Sequence, residues 1–472
     1  MEDIWAENGG IYFGYGANKP RGAPPTYDQA NLLRYVGDRH IVTVGPNGSG
    51  KSRRLLWPNL RDLTKWSVVV VDPKGELAHW TKDHRERSGS RIIRLNPFDV
   101  LGLGSDGFNP VAALDPKNEE FADDAMGLAE AIIRVEGHEP HWSQSAQELI
   151  CALIMYVRLV LDNPSLADVR ALLGQDSTSM RELVLSRSFE YTRMTPSGDA
   201  AERYKYEKLT VPGMIAAAII FKHPELEAKA SRFGDIGPEN RELSSVLSVA
   251  LTQTRWLDSF PVAKDLHSGD FSFGRLKEEP TTVYLILPAR RLGTHSTWLR
   301  LMTTSILQPL LKDTRESKVP ILFMLDEFAQ LGHLPVIEQT MALMRGYGIK
   351  LWAVFQDFAQ AEAIYAKRWQ TFLGNAGVVQ AFAPRDVVTS ESLSELAGQT
   401  TKAPLAATNV GPGAQLSRTQ IAVPLMLPQD LRNMDKGFSI LLTDKIKGVV
   451  CSYLPDPDDP EYIKALEGDL GE

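Results

Sequence analysis

The sequence predicts an α/β fold in which a parallel sheet is interrupted by an all-helical domain. Short apolar runs of strand length occur before residue 115 and after residue 270, where they alternate with helical segments. Between those positions, apolar residues recur at the three- and four-residue spacing of helices. A glycine-rich segment directly follows the apolar run at residues 41–44, as at the ligand-binding edge of such sheets.

The glycine-rich segment, residues 45–52, matches the pattern GxxxxGK[ST] at every fixed position. Glycine lets backbone N–H groups face a phosphate chain without an obstructing Cβ, and the N-terminus of the next helix attracts the anion. Lys51 then reaches the β and γ phosphates, and Ser52 binds Mg²⁺. The alternative is a glycine-rich turn without a ligand. The predicted nucleotide-binding residues are Gly45, Pro46, Asn47, Gly48, Ser49, Gly50, Lys51 and Ser52.

A second half of the site is predicted where the apolar strand 320–325 ends in Asp326 and Glu327. We assign Asp326 to Mg²⁺ and Glu327 to the attacking water, as in hydrolysing P-loop enzymes. The alternative is an acidic pair that caps the following helix. No NKxD-type guanine signature occurs in the chain, so the predicted nucleotide is ATP.

Composition restricts the protein class. The chain has 472 residues, 43% of them apolar, and a net charge of −8, which indicates a soluble globular protein of two or three domains. The negative charge means that any DNA contact has to be local, for instance a lined channel. The two cysteines, Cys151 and Cys451, are far apart in sequence and favour a reducing cytoplasm over a disulfide framework or a thiolate zinc site.

Membrane insertion is not predicted. The most apolar segment, residues 211–221, is shorter than the roughly 20 residues that span a bilayer. The N-terminus is acidic where a signal peptide would be basic.

The predicted domains are an N-terminal segment 1–38, a nucleotide-binding domain 39–115 and 271–455, an all-helical domain 116–270 and an acidic tail 456–472. We expect a short hairpin within residues 9–15, an end near Pro58 for the helix that Lys51 opens, and a long polar loop at 398–420. The tail is expected to be solvated. The predicted strands are 41–44, 67–71, 91–95, 282–287, 320–325, 348–355, 377–382 and a final pair, 438–442 with 448–450.

The motifs together resemble one family, the type IV coupling proteins, which are the conjugative DNA-transfer ATPases of type IV secretion systems. The resemblance spans residues 35–450 and implies a RecA-like motor domain interrupted by an all-helical domain. It also implies a homo-hexameric ring that uses ATP to deliver relaxase-bound single-stranded DNA, or effector proteins, to a secretion channel. The motifs that carry it are residues 45–52, 71–77 (VDPKGEL), 95–98 (LNPF), 108–110 (FNP), 141–142 (HW), 325–328 (LDEF) and 343–349 (LMRGYGI).

Two further catalytic residues follow from the resemblance. Gln356 ends the strand that, in RecA-like sheets, lies between the P-loop strand and the acidic strand, so it can sense the γ-phosphate. Arg345 stands where the family places an arginine that reaches the neighbouring subunit's nucleotide. A capping glutamine and a surface arginine are the alternatives. Arg368 and Trp369 are expected to face the nucleotide or the subunit interface, and Asp72, Lys74 and Glu76 to support the site.

The sequence departs from the family in two ways. Family members normally begin with membrane-spanning helices, so we expect this chain to meet the inner membrane through partners, or to lack an anchor, and to act at its cytoplasmic face. Val423 and Pro424 stand where the family has an arginine-proline pair, which puts a role for that arginine in doubt. Two alternative functions stay open: an effector receptor with an ATP switch and no DNA pumping, and a double-stranded DNA translocase of the septal type.

Overall fold

The fold was analysed in a computed structural model. The structure describes residues 10–135, 140–173, 189–194, 201–206, 221–234, 241–269, 271–402, 405–407, 416–418, 420–443 and 448–463. The predicted apolar segment 211–221 lies outside the described residues except for its last position.

Seventeen strands are described in this part of the chain, and eleven of them form one sheet. The strands are β1 Ile11–Ala17, β2 Leu32–Tyr35, β3 His40–Val44, β4 Ser67–Val71, β5 Arg91–Leu95, β6 Phe189–Met194, β7 Ala201–Tyr206, β8 Thr281–Leu285, β9 Ile321–Leu325, β10 Ile349–Phe355, β11 Ala376–Phe382, β12 Gln399–Lys402, β13 Leu405–Ala407, β14 Leu416–Arg418, β15 Ile421–Pro424, β16 Phe438–Thr443 and β17 Val449–Tyr453.

The main sheet has the order β2-β1-β17-β16-β11-β3-β10-β9-β4-β8-β5. The part from β11 to β5 is parallel, whereas β16, β17, β1 and β2 extend it in antiparallel pairs. Strands from before and after the helical region interleave, because β4 lies between β9 and β8. Every residue of β3, β4, β8, β9, β10 and β11 is buried, which explains their continuous apolar character.

The helices cover both faces of this sheet and build the region between β5 and β8. They are α1 Trp57–Asp62, α2 Glu76–Arg87, α3 Phe121–Ile132, α4 Pro140–Val160, α5 Leu166–Leu173, α6 Pro224–Gly234, α7 Arg241–Gln253, α8 Phe260–Asp265, α9 Leu292–Lys312, α10 Pro335–Met344, α11 Phe358–Tyr365, α12 Gln370–Asn375, α13 Val387–Ala397 and α14 Pro428–Arg432.

The predicted α/β class with interposed helices is confirmed. The helical spacing of apolar residues in this region is accounted for by buried side chains, such as Phe121, Ala125, Leu128 and Ile132 of α3, and the HW motif at 141–142 lies in the first turn of α4. The helical region differs from the prediction in one element, because β6 and β7 form an antiparallel hairpin within it. Apolar and polar residues alternate only weakly in those two strands, so the sequence pattern did not distinguish the strands from a loop.

The expectation that the helix after the P-loop ends near Pro58 is wrong. Lys51–Leu56 form a π-helix, in which Trp57 N–H donates to the carbonyl of Ser52. The α-helix α1 then begins at Trp57 and continues to Asp62. Pro58 falls in the first turn of α1, where a missing N–H removes no helical hydrogen bond.

The expectation of a short hairpin within residues 9–15 is also wrong. Residues 11–17 form the single strand β1, which pairs with β2 across the loop and with β17 on its other edge. The partner strands lie far away in sequence, so no local pattern could indicate them. β1 and β2, both before residue 39, are therefore part of the main sheet.

Two C-terminal expectations need correction. The predicted loop 398–420 contains β12, which pairs with β15, and β13, which pairs with β14. The first part of the acidic tail is not a free solvated end, because Asp456 accepts a hydrogen bond from Arg54 at 2.8 Å and Asp458 pairs with Arg53. Tyr462 is buried in the same area. Residues 456–462 of the tail therefore pack beside the helical segment that follows the P-loop.

No helix among the described residues is both long enough and apolar enough to cross a bilayer.

Replacing Gly14 by alanine tests whether β1 is an integral strand. Gly14 has φ +99°, and a Cβ there would lie 2.4 Å from the carbonyl oxygen of Tyr453 in β17. We expect Gly14→Ala to lower the free energy of unfolding by more than about 1 kcal/mol, measured by urea denaturation. Gly16→Ala is the matched control, because a Cβ at Gly16 meets its neighbours only at 3.6 Å or beyond. Equal stability of the two variants would contradict the placement of β1.

Candidate nucleotide site

The site lies at the carboxyl edge of the parallel sheet. β3, β10, β9 and β4 are consecutive neighbours there, and each is followed directly by residues that the sequence analysis singled out. The pairing of β3 with β10 continues to this edge, since Val44 pairs with Phe355 and Gly45 N–H donates to the carbonyl of Phe355 at 3.1 Å. The strand order confirms that the strand ending before Gln356 lies between the P-loop strand and the acidic strand.

The P-loop conformation depends on its glycines. Gly48 and Gly50 have φ of +78° and +95°, a region that residues with a Cβ rarely adopt. A Cβ at Gly45 would lie 2.8 Å from Cβ of Phe382 in β11, so the loop is also packed closely against the sheet. Nothing lies within 4 Å of the Cβ position of Gly48, which leaves that side of the loop open.

Lys51 is buried beneath the loop. Its Nζ donates hydrogen bonds to the carbonyl oxygens of Gly45 at 2.5 Å and Pro46 at 3.1 Å. Burial lowers the pKa of Lys51, while the nearby carboxylates of Asp326 and Glu327 act in the opposite direction. The ammonium group therefore lies within the P-loop and inside the field of the two acidic residues.

Ser52 and Asp326 meet across the site. Ser52 Oγ donates to Asp326 Oδ2 at 3.0 Å, and burial raises the pKa of Asp326, with a further increase from Glu327. The described residues contain no group of three or more histidine, cysteine, aspartate or glutamate side chains that could hold a metal alone. A hydroxyl and one carboxylate nevertheless fit Mg²⁺, which prefers oxygen ligands and usually keeps waters and substrate phosphates as the others.

Glu327 has a left-handed backbone, with φ 55° and ψ 44°. Such a conformation is strained for a residue with a Cβ, and it is commonly found at functional sites. Gln356 Nε2 donates to Glu327 Oε2 at 2.7 Å, and Gln360 Nε2 donates to Gln356 Oε1 at 3.3 Å. Gln356, at the end of the neighbouring strand, orients the Glu327 carboxylate, and Gln360 of α11 orients the Gln356 amide in turn.

The four segments enclose a cleft of about 670 Å³. Asp72 lines its floor, where its carboxylate accepts a hydrogen bond from Ala78 N–H at 2.9 Å, and burial raises its pKa to about 7. This hydrogen bond fixes the start of α2, which fits the expected supporting position beside the site. The lining residues are Asn47, Gly48, Gly50, Lys51, Ser52, Arg53, Asp72, Pro73, Lys74, Glu76, Leu77, Trp80, Ala289, Leu292, Gly293, Asp326, Glu327, Gln330 and Gln356.

The cleft includes residues that the sequence analysis did not identify. Trp80 is 40% exposed and contributes an accessible ring from α2, while Gln330 follows Glu327 by one short turn. Leu292 and Gly293 come from the first turn of α9. Their contribution could not be seen in sequence, because it depends on the position of β8 in the sheet order.

Arg345 does not reach the nucleotide cleft of its own chain. It lies just before β10, at the amino edge of the sheet, so the seven residues of β10 separate it from Gln356 by about 20 Å. Its Nε pairs with Asp38 at 2.6 Å, and more than half of its side chain is exposed. Arg368 is also exposed and pairs with Glu338 at 2.7 Å, whereas Trp369 is buried.

A match to a known family identifies the chain. The model of the family described as "Type IV secretory system Conjugative DNA transfer" matches residues 7–454. The chain belongs to this family. The resemblance seen in the motifs is thereby confirmed.

Curated relatives agree with the family match. The conjugal transfer protein TraG of Escherichia coli is 28% identical over 395 residues, which cover 79% of this chain and 57% of that protein. Protein VirD4 of Agrobacterium fabrum is 28% identical over 430 residues, covering 87% of this chain and 57% of that protein. The chain therefore spans less than two thirds of the length of these relatives.

Solved structures show the same fold. The unbound form of the bacterial conjugative coupling protein TrwB has a TM-score of 0.62 and 15% identity, covering 98% of this chain and 99% of that one. TrwB in complex with ADP and Mg²⁺ has a TM-score of 0.60 and 16% identity, covering 97% of each chain. The RecA-like class expected for the sheet domain is thereby confirmed.

Proposed function

We propose that this chain is an ATP-hydrolysing coupling protein that drives single-stranded DNA with its relaxase, or effector proteins, into a type IV secretion channel. One observation carries the proposal. Five residues converge at one edge of the sheet, and hydrogen bonds connect them to the P-loop or to each other, as expected for a P-loop hydrolase. They are Lys51, Ser52, Asp326, Glu327 and Gln356. Membership of the conjugative DNA transfer family supports the transport role.

The proposed chemistry assigns one task to each residue. The backbone of residues 45–52 and the Lys51 ammonium bind the phosphates of ATP and offset their charge. Glu327 orients and activates the attacking water, and Gln356, hydrogen-bonded to Glu327 at 2.7 Å, senses the γ-phosphate next to that water. Transition-state charge then develops beside groups that the sheet already holds in place.

Ser52 and Asp326 are the proposed residues that hold Mg²⁺. When bound, Mg²⁺ neutralises charge on the β and γ phosphates. The ion also favours the charged carboxylate of Asp326, whose pKa burial otherwise raises. TrwB in complex with ADP and Mg²⁺ shares this fold, which supports ATP and Mg²⁺ as the ligands here.

Arg345 is the proposed arginine finger of a homo-hexamer. Its exposure and its position away from its own cleft are compatible with action on a neighbouring subunit's ATP. The Asp38 pair is no obstacle, because exposed ion pairs contribute only about 0–1 kcal/mol and exchange readily.

The remaining assignments are part of the same proposal. The nucleotide-binding domain comprises 39–115 and 271–455, and its sheet is extended by β1 and β2 from the N-terminal segment. The helical domain comprises 116–270, and the partners are the type IV secretion machinery with a relaxase or effector. We propose that the protein acts at the cytoplasmic face of the inner membrane. A second candidate function is that of an effector receptor. It is supported by the net charge of −8, because a DNA-binding protein commonly carries an overall positive charge.

Lys51→Ala and Glu327→Gln test the catalytic assignments. We expect each to lower the ATPase rate by at least about 100-fold, because one removes a phosphate contact and the other the base. Glu327→Gln keeps the shape of the side chain, so fluorescent ATP analogues are expected to bind it still. Lys65→Ala is the control, since Lys65 is exposed at the opposite edge of the sheet. A native rate in Glu327→Gln would refute its role.

Mixing inactive variants tests Arg345. We expect Arg345→Ala to lose activity alone, by about 10³-fold or more if it stabilises transition-state charge. Mixed with Lys51→Ala chains, it is expected to regain part of the ATPase rate, because some sites then combine an intact P-loop with an intact arginine. Asp38→Ala is the control for loss of the Arg345 ion pair and is expected to remain active. Absence of recovery in a mixture of assembled chains would exclude action between subunits.

ATPase assays with nucleic acid distinguish the candidate functions. At low salt we expect single-stranded DNA to raise the rate and to make it depend steeply on protein concentration, because subunits complete each other's sites. Equal rates with and without DNA would favour the effector receptor. A larger effect of duplex DNA would favour a septal-type translocase.

A further inference from the structure

A second cleft, of about 450 Å³, lies at the N-terminus of α9. It is formed by the first turn of α9, the end of α7 and the residues after α3, and Gly293 lines both this cleft and the nucleotide cleft. The two clefts therefore share the start of α9. The lining residues are Arg134, Thr252, Gln253, Arg255, Trp256, Ser259, Arg291, Gly293, Thr294, His295, Ser296 and Thr297.

The lining is cationic although the chain carries a net charge of −8. It contains three arginines and no carboxylate. Arg255 and Arg291 are exposed, and neither forms an ion pair with a described carboxylate; Asp258, close to Arg255 in sequence, instead pairs with Arg170 at 2.7 Å. Arg290 is a further exposed arginine next to the cleft. Such a group of cations is suited to an anion.

Two buried donors in the lining lack partners within the described part of the chain. His295 is 6% exposed and Trp256 is 5% exposed, and neither His295 Nε2 nor Trp256 Nε1 forms a hydrogen bond. The other ring nitrogen of His295, Nδ1, lies 2.7 Å from Thr294 Oγ1, so Nε2 has no partner and donates a hydrogen bond when it carries a ring proton. Buried donors without acceptors are rare and indicate a missing partner.

The start of α9 adds backbone donors. No side chain caps this helix, and nothing lies within 4 Å of the Cβ position of Gly293. The first N–H groups of a 21-residue helix carry partial positive charge and bind phosphate oxygens well. The helix N-terminus, the arginines and the two buried donors therefore favour the same kind of ligand.

The LNPF segment at residues 95–98 gains a role here. The guanidinium of Arg291 lies over the ring of Phe98 at 5.5 Å, and the His295 ring packs edge-on against the same ring at 5.2 Å. Phe98 thus orients one exposed cation and one buried donor of the cleft. The segment contributes to the cationic cleft and not to the nucleotide cleft.

Arg134 connects this cleft to the acidic strand. Its Nη2 donates to Ser296 Oγ at 2.9 Å. A Cβ on Gly332 would lie 3.2 Å from the guanidinium carbon of Arg134, so the two are in close contact. Gly332 ends the short turn Phe328–Leu331, which begins directly after Glu327. A ligand on Arg134 would therefore bind a side chain that lies against the end of the segment following the proposed catalytic base.

We propose that this cleft binds two adjacent phosphodiester groups of single-stranded DNA beside the ATP site. That the ligand is single-stranded DNA rests on the proposed function. That the cleft binds phosphate rests on its cationic lining and its buried donors. A strand fits better than a free nucleotide, because the cations continue outward to exposed Arg290 and the aromatic rings of the lining, Trp256 and His295, are buried and offer no open face to a base. Phosphate contacts of this kind are largely independent of base sequence.

The test measures binding of a fluorescent oligo-dT to the full chain over a range of salt concentrations. Arg255→Gln combined with Arg291→Gln is expected to weaken binding about tenfold and to lower the slope of log K against log salt by about 1.4, that is, two phosphates at about 0.7 each. The matched control combines Lys65→Gln with Arg91→Gln, which removes the same charge from exposed positions at the other edge of the sheet. The control is expected to retain the native slope.

His295→Phe separates hydrogen bonding from charge. It keeps an aromatic ring against Phe98 but removes Nε2, so we expect weaker binding with an unchanged salt slope. Thermal unfolding of each variant checks that the fold is kept.

The outcomes separate this inference from the proposed function. Native binding and slope in the arginine double variant would overturn the site while leaving a DNA-transporting protein intact. Loss of one equivalent of bound ATP, with DNA binding unchanged, would make the cleft a second nucleotide site and overturn the inference. If the native chain binds no single-stranded DNA at low salt, both the DNA role and this site are wrong.

Discussion

The pairing of β3 with β10 and of β10 with β9 is the constraint on which the site depends. Parallel pairing places the carboxyl ends of all three strands at one edge, so residues 274 positions apart in sequence become neighbours. The hydrogen bond from Ser52 to Asp326, at 3.0 Å, is the direct result. A shift of one residue in either pair would turn the side chains to the opposite face of the sheet and separate them.

The site concentrates features that are unfavourable in isolation. Lys51, Asp72 and Asp326 are buried charges, and Glu327 has a backbone conformation that costs about 1–3 kcal/mol. The fully buried parallel strands around them supply the offsetting apolar burial. The groups that are unfavourable for folding are thus the same groups that are arranged for a charged ligand. Functional sites commonly contain such unfavourable features.

The helical region is attached to the sheet by polar contacts to the end of α3. Arg300, buried in α9, donates to the carbonyls of Ala131 and Ile132, and it thereby satisfies carbonyl groups at the end of that helix. Arg134 follows two residues later and contacts Gly332. The N-terminus of α9 and the turn after Glu327 are therefore joined to the helical region by specific side chains.

The sequence alone determined the features that short-range patterns encode. Continuous apolar runs located β3, β4, β9 and β10, and the motif chemistry identified Gly45–Ser52 with Asp326 and Glu327, because spacing and residue type suffice for both. The tertiary structure decided what depends on distant partners. It paired β1 with β17, placed the acidic tail on Arg54, carried the helix past Pro58 and brought Trp80 and the start of α9 to the cleft. Those outcomes follow from strand order and long-range packing, which no local pattern of residues contains.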